Sequence, residues 1–71
     1  MNKPEDFVDI VAMVGFEDIG PIPAVGFTVT ENGKTVFFVK LNRAYVDWDR
    51  IKAWRYLKDM WPDYLDQEES Q

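Results

Sequence analysis

A chain of 71 residues forms one domain at most, and a domain this small buries only about 60% of its unfolded surface, which leaves it marginally stable. Its composition, 46% hydrophobic and 15% aromatic, is that of a folded globule, and the absence of cysteine excludes disulfides and thiolate metal sites. The net charge of −5 is segregated: residues 1–33 hold one positive and six negative groups, residues 34–58 seven positive and two negative, and residues 59–71 five negative and none positive.

These blocks can pair within the molecule, or they can present acidic and basic faces to a partner. With no covalent staple, stability rests on the core, on turn and helix signals and on self-association, so a homodimer is expected. No run of 18 apolar residues exists, and no membrane span is expected. Met1-Asn2-Lys3 leads into acidic Pro4-Glu5-Asp6 without the apolar region of a signal peptide, so the expected compartment is the cytoplasm.

The first element is PEDFVDIVAMVG, from Pro4. Pro4 with Glu5, Asp6 and Asp9 suits a helix start, and Phe7, Ile10, Val11 and Val14 have helical spacing. The β-branched residues equally suit a strand over about residues 7–16. The strand is preferred, because a hairpin needs a third strand to make a stable sheet. Residues 17–24, EDIGPIPA, form a connection punctuated by Gly20-Pro21 and Pro23.

Residues 25–41, VGFTVTENGKTVFFVKL, read as a β-hairpin. Asn32-Gly33 fits the two central positions of a type I′ turn. That turn sets Glu31 opposite Lys34, Thr30 opposite Thr35, Val29 opposite Val36 and Phe27 opposite Phe38. One face then carries Val25, Phe27, Val29, Val36 and Phe38, the expected core. The other carries Thr28, Thr30, Thr35, Phe37, Val39 and Leu41. It is too apolar at Phe37, Val39 and Leu41 for full solvation, which makes those three the candidates for self-association.

The segment DWDRIKAWRYLKDMW reads as a helix over 47–61, with Asp47 as its N-cap and Pro62 as its stop. Ala53, Trp54, Leu57, Met60 and Trp61 share one helical face, which places Trp54 and Trp61 on the sheet. Lys52, Arg55 and Lys58 form a basic stripe on the far side. Trp48 and Tyr64 lie off the core face. Trp48 either folds back on the hairpin or, with Tyr64, serves as an exposed aromatic anchor. Residues 66–71 form a polar tail expected to fray. The expected architecture over 1–71 is α+β: a small antiparallel sheet, built from hairpin 25–41 and the element at 7–16, packed on a C-terminal helix.

Catalytic chemistry is scarce. The chain has no histidine or cysteine, its one serine is Ser70, and its glycines form no phosphate loop. Asp47-Trp48-Asp49 lacks the calcium-loop pattern and reads as carboxylates at a helix start. Neither an enzyme, a cofactor nor a metal is expected, so the function classes that remain are binding classes.

The first is inhibition of a protein. Asp47, Asp49, Asp59, Asp63, Asp66, Glu68 and Glu69, with the acids of residues 5–18, could imitate the spaced phosphates of DNA and occupy a basic DNA-binding protein. In size, acidity and lack of chemistry the chain resembles the small takeover proteins of bacteriophages. The segment NGKTVFFVKLNRAYVDWDRIKAW, residues 32–54, resembles the hairpin-into-helix of the phage inhibitors of uracil-DNA glycosylase. There too a turn and Gly-Lys precede an aromatic-rich strand, and an acidic helix start follows. The resemblance covers about a third of the chain and implies a phage-encoded, dimeric, DNA-mimicking inhibitor acting in the host cytoplasm. It carries over no functional residues, and the basic middle block departs from the pattern.

The second class is a nucleic-acid-binding module using Arg43, Arg50, Lys52, Arg55 and Lys58 with Tyr45 and Trp48. A pI near 4.4 opposes it. The third is an assembly subunit that dimerises through Phe37, Val39 and Leu41.

Overall fold

The structure, a computed structural model, describes residues 2–63. Its strands are β1 (Ile10–Val14), β2 (Ile22–Glu31), β3 (Lys34–Val39), β4 (Ala44–Asp47) and β5 (Ile51–Tyr56). A 3-10 turn, Trp48–Arg50, joins β4 to β5, and one helical turn, α1 (Leu57–Met60), follows β5. Every pairing is antiparallel, in the order β4-β3-β2-β1-β5. No helix among the described residues is long and apolar enough to cross a membrane.

That order makes β4 and β5 the two edges, yet a turn of three residues links them. In a flat sheet the edges would stand roughly 19 Å apart. A 3-10 turn of this length advances only about 6 Å, so the sheet must roll. The roll is centred on β2. Residues 22–26 of that strand pair with β1, and residues 26–31 pair with β3. Gly26 belongs to both ladders, facing Ile10 on one side and Val39 on the other. A Cβ at this position would lie 1.8 Å from the Phe38 carbonyl oxygen. Only glycine permits that approach.

The hairpin register is as expected, with Glu31 opposite Lys34 and Phe27 opposite Phe38. Asn32 and Gly33 both have positive φ, 55° and 78°, as a type I′ turn requires. The element at 7–16 is a strand over Ile10–Val14.

The two faces of the hairpin are exchanged relative to expectation. Thr28, Thr35 and Phe37 are buried, and Phe37 belongs to a core cluster with Ile10, Ala12, Val14 and Ile51. Val39, Val46, Trp48, Trp54 and Tyr56 pack around that cluster. Val25, Phe27, Val29, Val36 and Phe38 lie on the outer side of the roll. Apolar content alone favours the wrong face. Gly26 shares the threonine face, and the tight approach it allows is on the inside of the roll.

The second correction concerns residues 47–61. Helix is confined to Leu57–Met60, while Ile51–Tyr56 forms β5. Asp47 has extended backbone (φ −60°, ψ 140°) and makes no side-chain cap. The segment with the phage-inhibitor resemblance therefore continues as strand, turn and strand. Tertiary pairing overrides local helix propensity here, since β5 covers the edge of the apolar strand IVAMV that β2 leaves open. Trp54 packs at the rim of the core, edge-on to Tyr56 with centroids 5.0 Å apart, and Trp61 is largely exposed.

Residues 2–9 form an arm that lies across the open end of the roll. The Trp54 indole N–H donates to the Asn2 carbonyl at 2.7 Å, and the Glu5 N–H donates to the Tyr56 hydroxyl at 2.9 Å. Lys3 Nζ donates to the Thr35 hydroxyl at 3.0 Å. The Asp6 carboxylate accepts from the hydroxyls of Thr28 (2.9 Å) and Thr30 (3.1 Å) and from the Thr30 N–H (3.0 Å). The arm therefore satisfies the threonine hydroxyls that make an inward threonine face permissible. Asp6→Ala leaves the buried Thr28 hydroxyl without its acceptor. The expected loss is about 2–3 kcal/mol, and Asp6→Asn, which keeps an acceptor oxygen, is expected to lose less. Urea denaturation of the two variants checks this.

Candidate partner-binding surface

The register that fixes the hairpin also aligns aromatic rings across its outer face. Phe27 is opposite Phe38, and Phe38 is opposite Tyr45 on β4. The ring centroids are 5.1 and 5.2 Å apart, in tilted contact. Phe7, from the arm, adds a fourth ring 5.7 Å from Phe27. The result is one row of four aromatic rings spanning the arm and three strands. Its two ends are open to solvent, with Phe7 70% and Tyr45 67% exposed.

Phe7 holds its place at a cost. Its N–H donates to the Thr28 carbonyl at 3.0 Å, and its backbone is left-handed, with φ 63°. For an L-residue with a bulky side chain that conformation costs about 1–2 kcal/mol. A residue that is both strained and exposed adds little to the fold, and strain of this kind concentrates where a surface does work.

Paired charges flank the row. On one side Val29 faces Val36, and beyond them Lys34 lies 3.7 Å from Asp47, with both side chains exposed. On the other side Lys40 Nζ donates to Asp9 at 2.9 Å, and the Asp9 side chain is well buried. Past Tyr45, around the β4 edge and on the inner side of the sheet, lies a separate cleft of about 490 Å³. Its walls include Phe16, Ile22, Leu41 and Val46. An apolar centre with a rim of mixed charge is the composition of a protein-binding patch.

The residues singled out from sequence are distributed as follows. Asp47 precedes the 3-10 turn and Asp49 lies within it, and the two share a cleft with Lys3 and Lys34. Asp59 is in α1, which packs against β5 and β1, and Asp63 lies beyond it. The acidic set is thus divided between two regions. Trp48 is half-buried against the core. Tyr64, Asp66, Glu68, Glu69 and the tail 66–71 lie outside the described residues. Arg50 is in the 3-10 turn, and Lys52 and Arg55 are exposed on β5. Phe37 is fully buried and Val39 half-buried facing inward, so a second copy cannot use them as an exposed face. Leu41, in the β3–β4 turn, is 95% exposed. Among the described residues no group of three acidic, histidine or cysteine side chains could hold a metal ion.

Sequence reasoning paired Phe27 with Phe38 but placed both in the core, left Phe7 out of any site, and named Tyr45 only beside the basic residues of a nucleic-acid-binding module. The signal available was the alternation itself: Gly26, Thr28 and Thr30 share a face, with Asp6 upstream as an acceptor for their hydroxyls. Comparison with protein-family models, with curated proteins and with solved structures finds no match.

Proposed function

We propose that the chain is a non-enzymatic protein-binding module, an inhibitor or adaptor, whose contact surface is the aromatic row Phe7–Phe27–Phe38–Tyr45. The observation that carries this reading is Phe7: strained, exposed, and in ring contact only with the row it extends. The partner is a basic protein. A net charge of −5 steers such a partner in, and arginine guanidinium groups stack on exposed aromatic faces. Nucleic acid fits less well, because Lys34 and Lys40, which flank the row, are each engaged by a carboxylate. A pure phosphate mimic is also less favoured, since Asp47 is engaged by Lys34 and Asp49 shares a cleft with two lysines.

The test separates binding from folding. Phe7→Gly relieves the backbone strain while removing one ring contact of about 0.5–1.5 kcal/mol, so stability is expected to stay within about 1 kcal/mol of wild type. Capture from cell lysate is compared for the wild type, Phe7→Gly and Tyr45→Ala, with nuclease treatment and a salt series. A basic protein held by the wild type and lost by both variants supports the reading. Equal retention by the variants, or nucleic acid as the retained species, sinks it.

A further inference from the structure

We propose that the cleft between the aromatic row and the hairpin turn is an arginine pocket, which receives one arginine side chain of the basic partner. The inference rests on the reading of the row as a contact surface for such a protein, and it names the group that the surface grips.

The strand register builds the pocket. On the outer face of the hairpin Val29 lies opposite Val36, next to the Phe27–Phe38 pair, and Glu31 lies opposite Lys34 one step further. On β4, Tyr45 is opposite Phe38 and Asp47 is opposite Val36. The two valines are thus a half-buried apolar floor, with an aromatic wall at one end and charged side chains at the other. The open space above this floor measures about 310 Å³, and Tyr45, Glu31, Asn32 and Lys34 border it.

The charges around the floor do not balance. Lys34 turns from Glu31, its cross-strand neighbour, to Asp47, which lies 3.7 Å from its Nζ. Glu31 is left exposed, and among the described residues it makes neither an ion pair nor a side-chain hydrogen bond. With Lys34 and Asp47 cancelling, the cleft carries the single uncompensated charge of Glu31. An apolar floor, a solvent-open ring and a free carboxylate suit the parts of an arginine side chain. Its methylenes cover the valines, its guanidinium plane stacks on Tyr45, and its N–H groups donate to Glu31. Lysine fits less well, since its ammonium has no plane to stack and cannot pair with a carboxylate through two parallel bonds. The cleft at Trp48 and Asp49 is less suited to a cation, because Lys3 and Lys34 both line it.

The test is titration of the full chain with acetyl-arginine methylamide, read by amide chemical shifts, beside its citrulline and lysine counterparts. Saturable shifts centred on Val29, Glu31, Val36 and Tyr45 are expected in the millimolar range, as suits one side chain on an open surface. The citrulline compound, which keeps the shape without the charge, is expected to bind about five-fold more weakly, and the lysine compound about three-fold. Glu31→Gln and Tyr45→Ala are each expected to weaken the arginine compound about five-fold, while Tyr45→Phe and Asp49→Asn stay within about two-fold. Circular dichroism confirms that each variant is folded. Absence of saturation up to about 50 mM overturns the proposal. So do shifts centred on Asp49, equal binding of the citrulline compound, or wild-type affinity in Glu31→Gln. These outcomes are separate from the lysate capture: retention of a basic protein by Phe7→Gly and Tyr45→Ala sinks the row, whereas the titration decides the pocket.

Discussion

Gly26→Ala is expected to abolish the native fold. The added methyl would lie 1.8 Å from the Phe38 carbonyl oxygen, a backbone atom fixed in the β2–β3 ladder, and 3.0 Å from the Phe37 ring. Neither neighbour can move without opening the sheet at the residue that belongs to two of its ladders. The loss is expected to exceed about 4 kcal/mol, against a total stability on the order of 4–10 kcal/mol for a domain of this size. The amide spectrum should collapse to unfolded dispersion. Gly20→Ala provides the control: nothing lies within 4 Å of its Cβ position, so it is expected to be neutral or to stabilise by up to about 1 kcal/mol. A folded Gly26→Ala protein melting near the wild type would refute the role of Gly26 as pivot of the roll.

Phe37→Ala and Phe38→Ala form the second test, on adjacent residues of one strand. Phe37 is fully buried against Ile10, Val14 and Ile51, and its truncation is expected to cost about 3–5 kcal/mol. Phe38 faces outward between Phe27 and Tyr45, where truncation removes ring contacts without opening a core cavity. Its expected cost is about 1–2 kcal/mol. Denaturant midpoints of the two variants, compared at equal slope, measure the difference. Reversal of the order would mean that the hairpin turns its other face inward.

That contrast also marks what could be read in the sequence. The type I′ turn and the pairing of residues 27–38 followed from Asn32-Gly33, because turn chemistry is local and fixes register. The strand at Ile10–Val14 followed from β-branched composition. The face of the hairpin did not follow, since burial of threonines depends on an acceptor 22 residues upstream, Asp6. The helix expected over 47–61 failed for a similar reason. Trp54, Leu57 and Trp61 have helical spacing, but β1 needs a second neighbour, and the segment after the 3-10 turn supplies it. Of the surface described above, only the Phe27–Phe38 pair was visible. Phe7 and Tyr45 join it through an arm and a fourth strand whose positions are set by long-range contacts.

The same long-range closure governs how the chain acquires its fold. β1 hydrogen-bonds to β5, and the arm before β1 reaches Trp54 and Tyr56 across 52 and 51 positions of sequence. High contact order of this kind places folding in the millisecond-to-second range. It also sets an order of events during synthesis: β1 precedes β5, so the stretch IVAMV has no partner on that side until β5 has been made. The hairpin 25–41 can form early from local contacts. The rolled sheet is a late, all-or-none event, during which an apolar strand stands open to whatever protein surface is nearest.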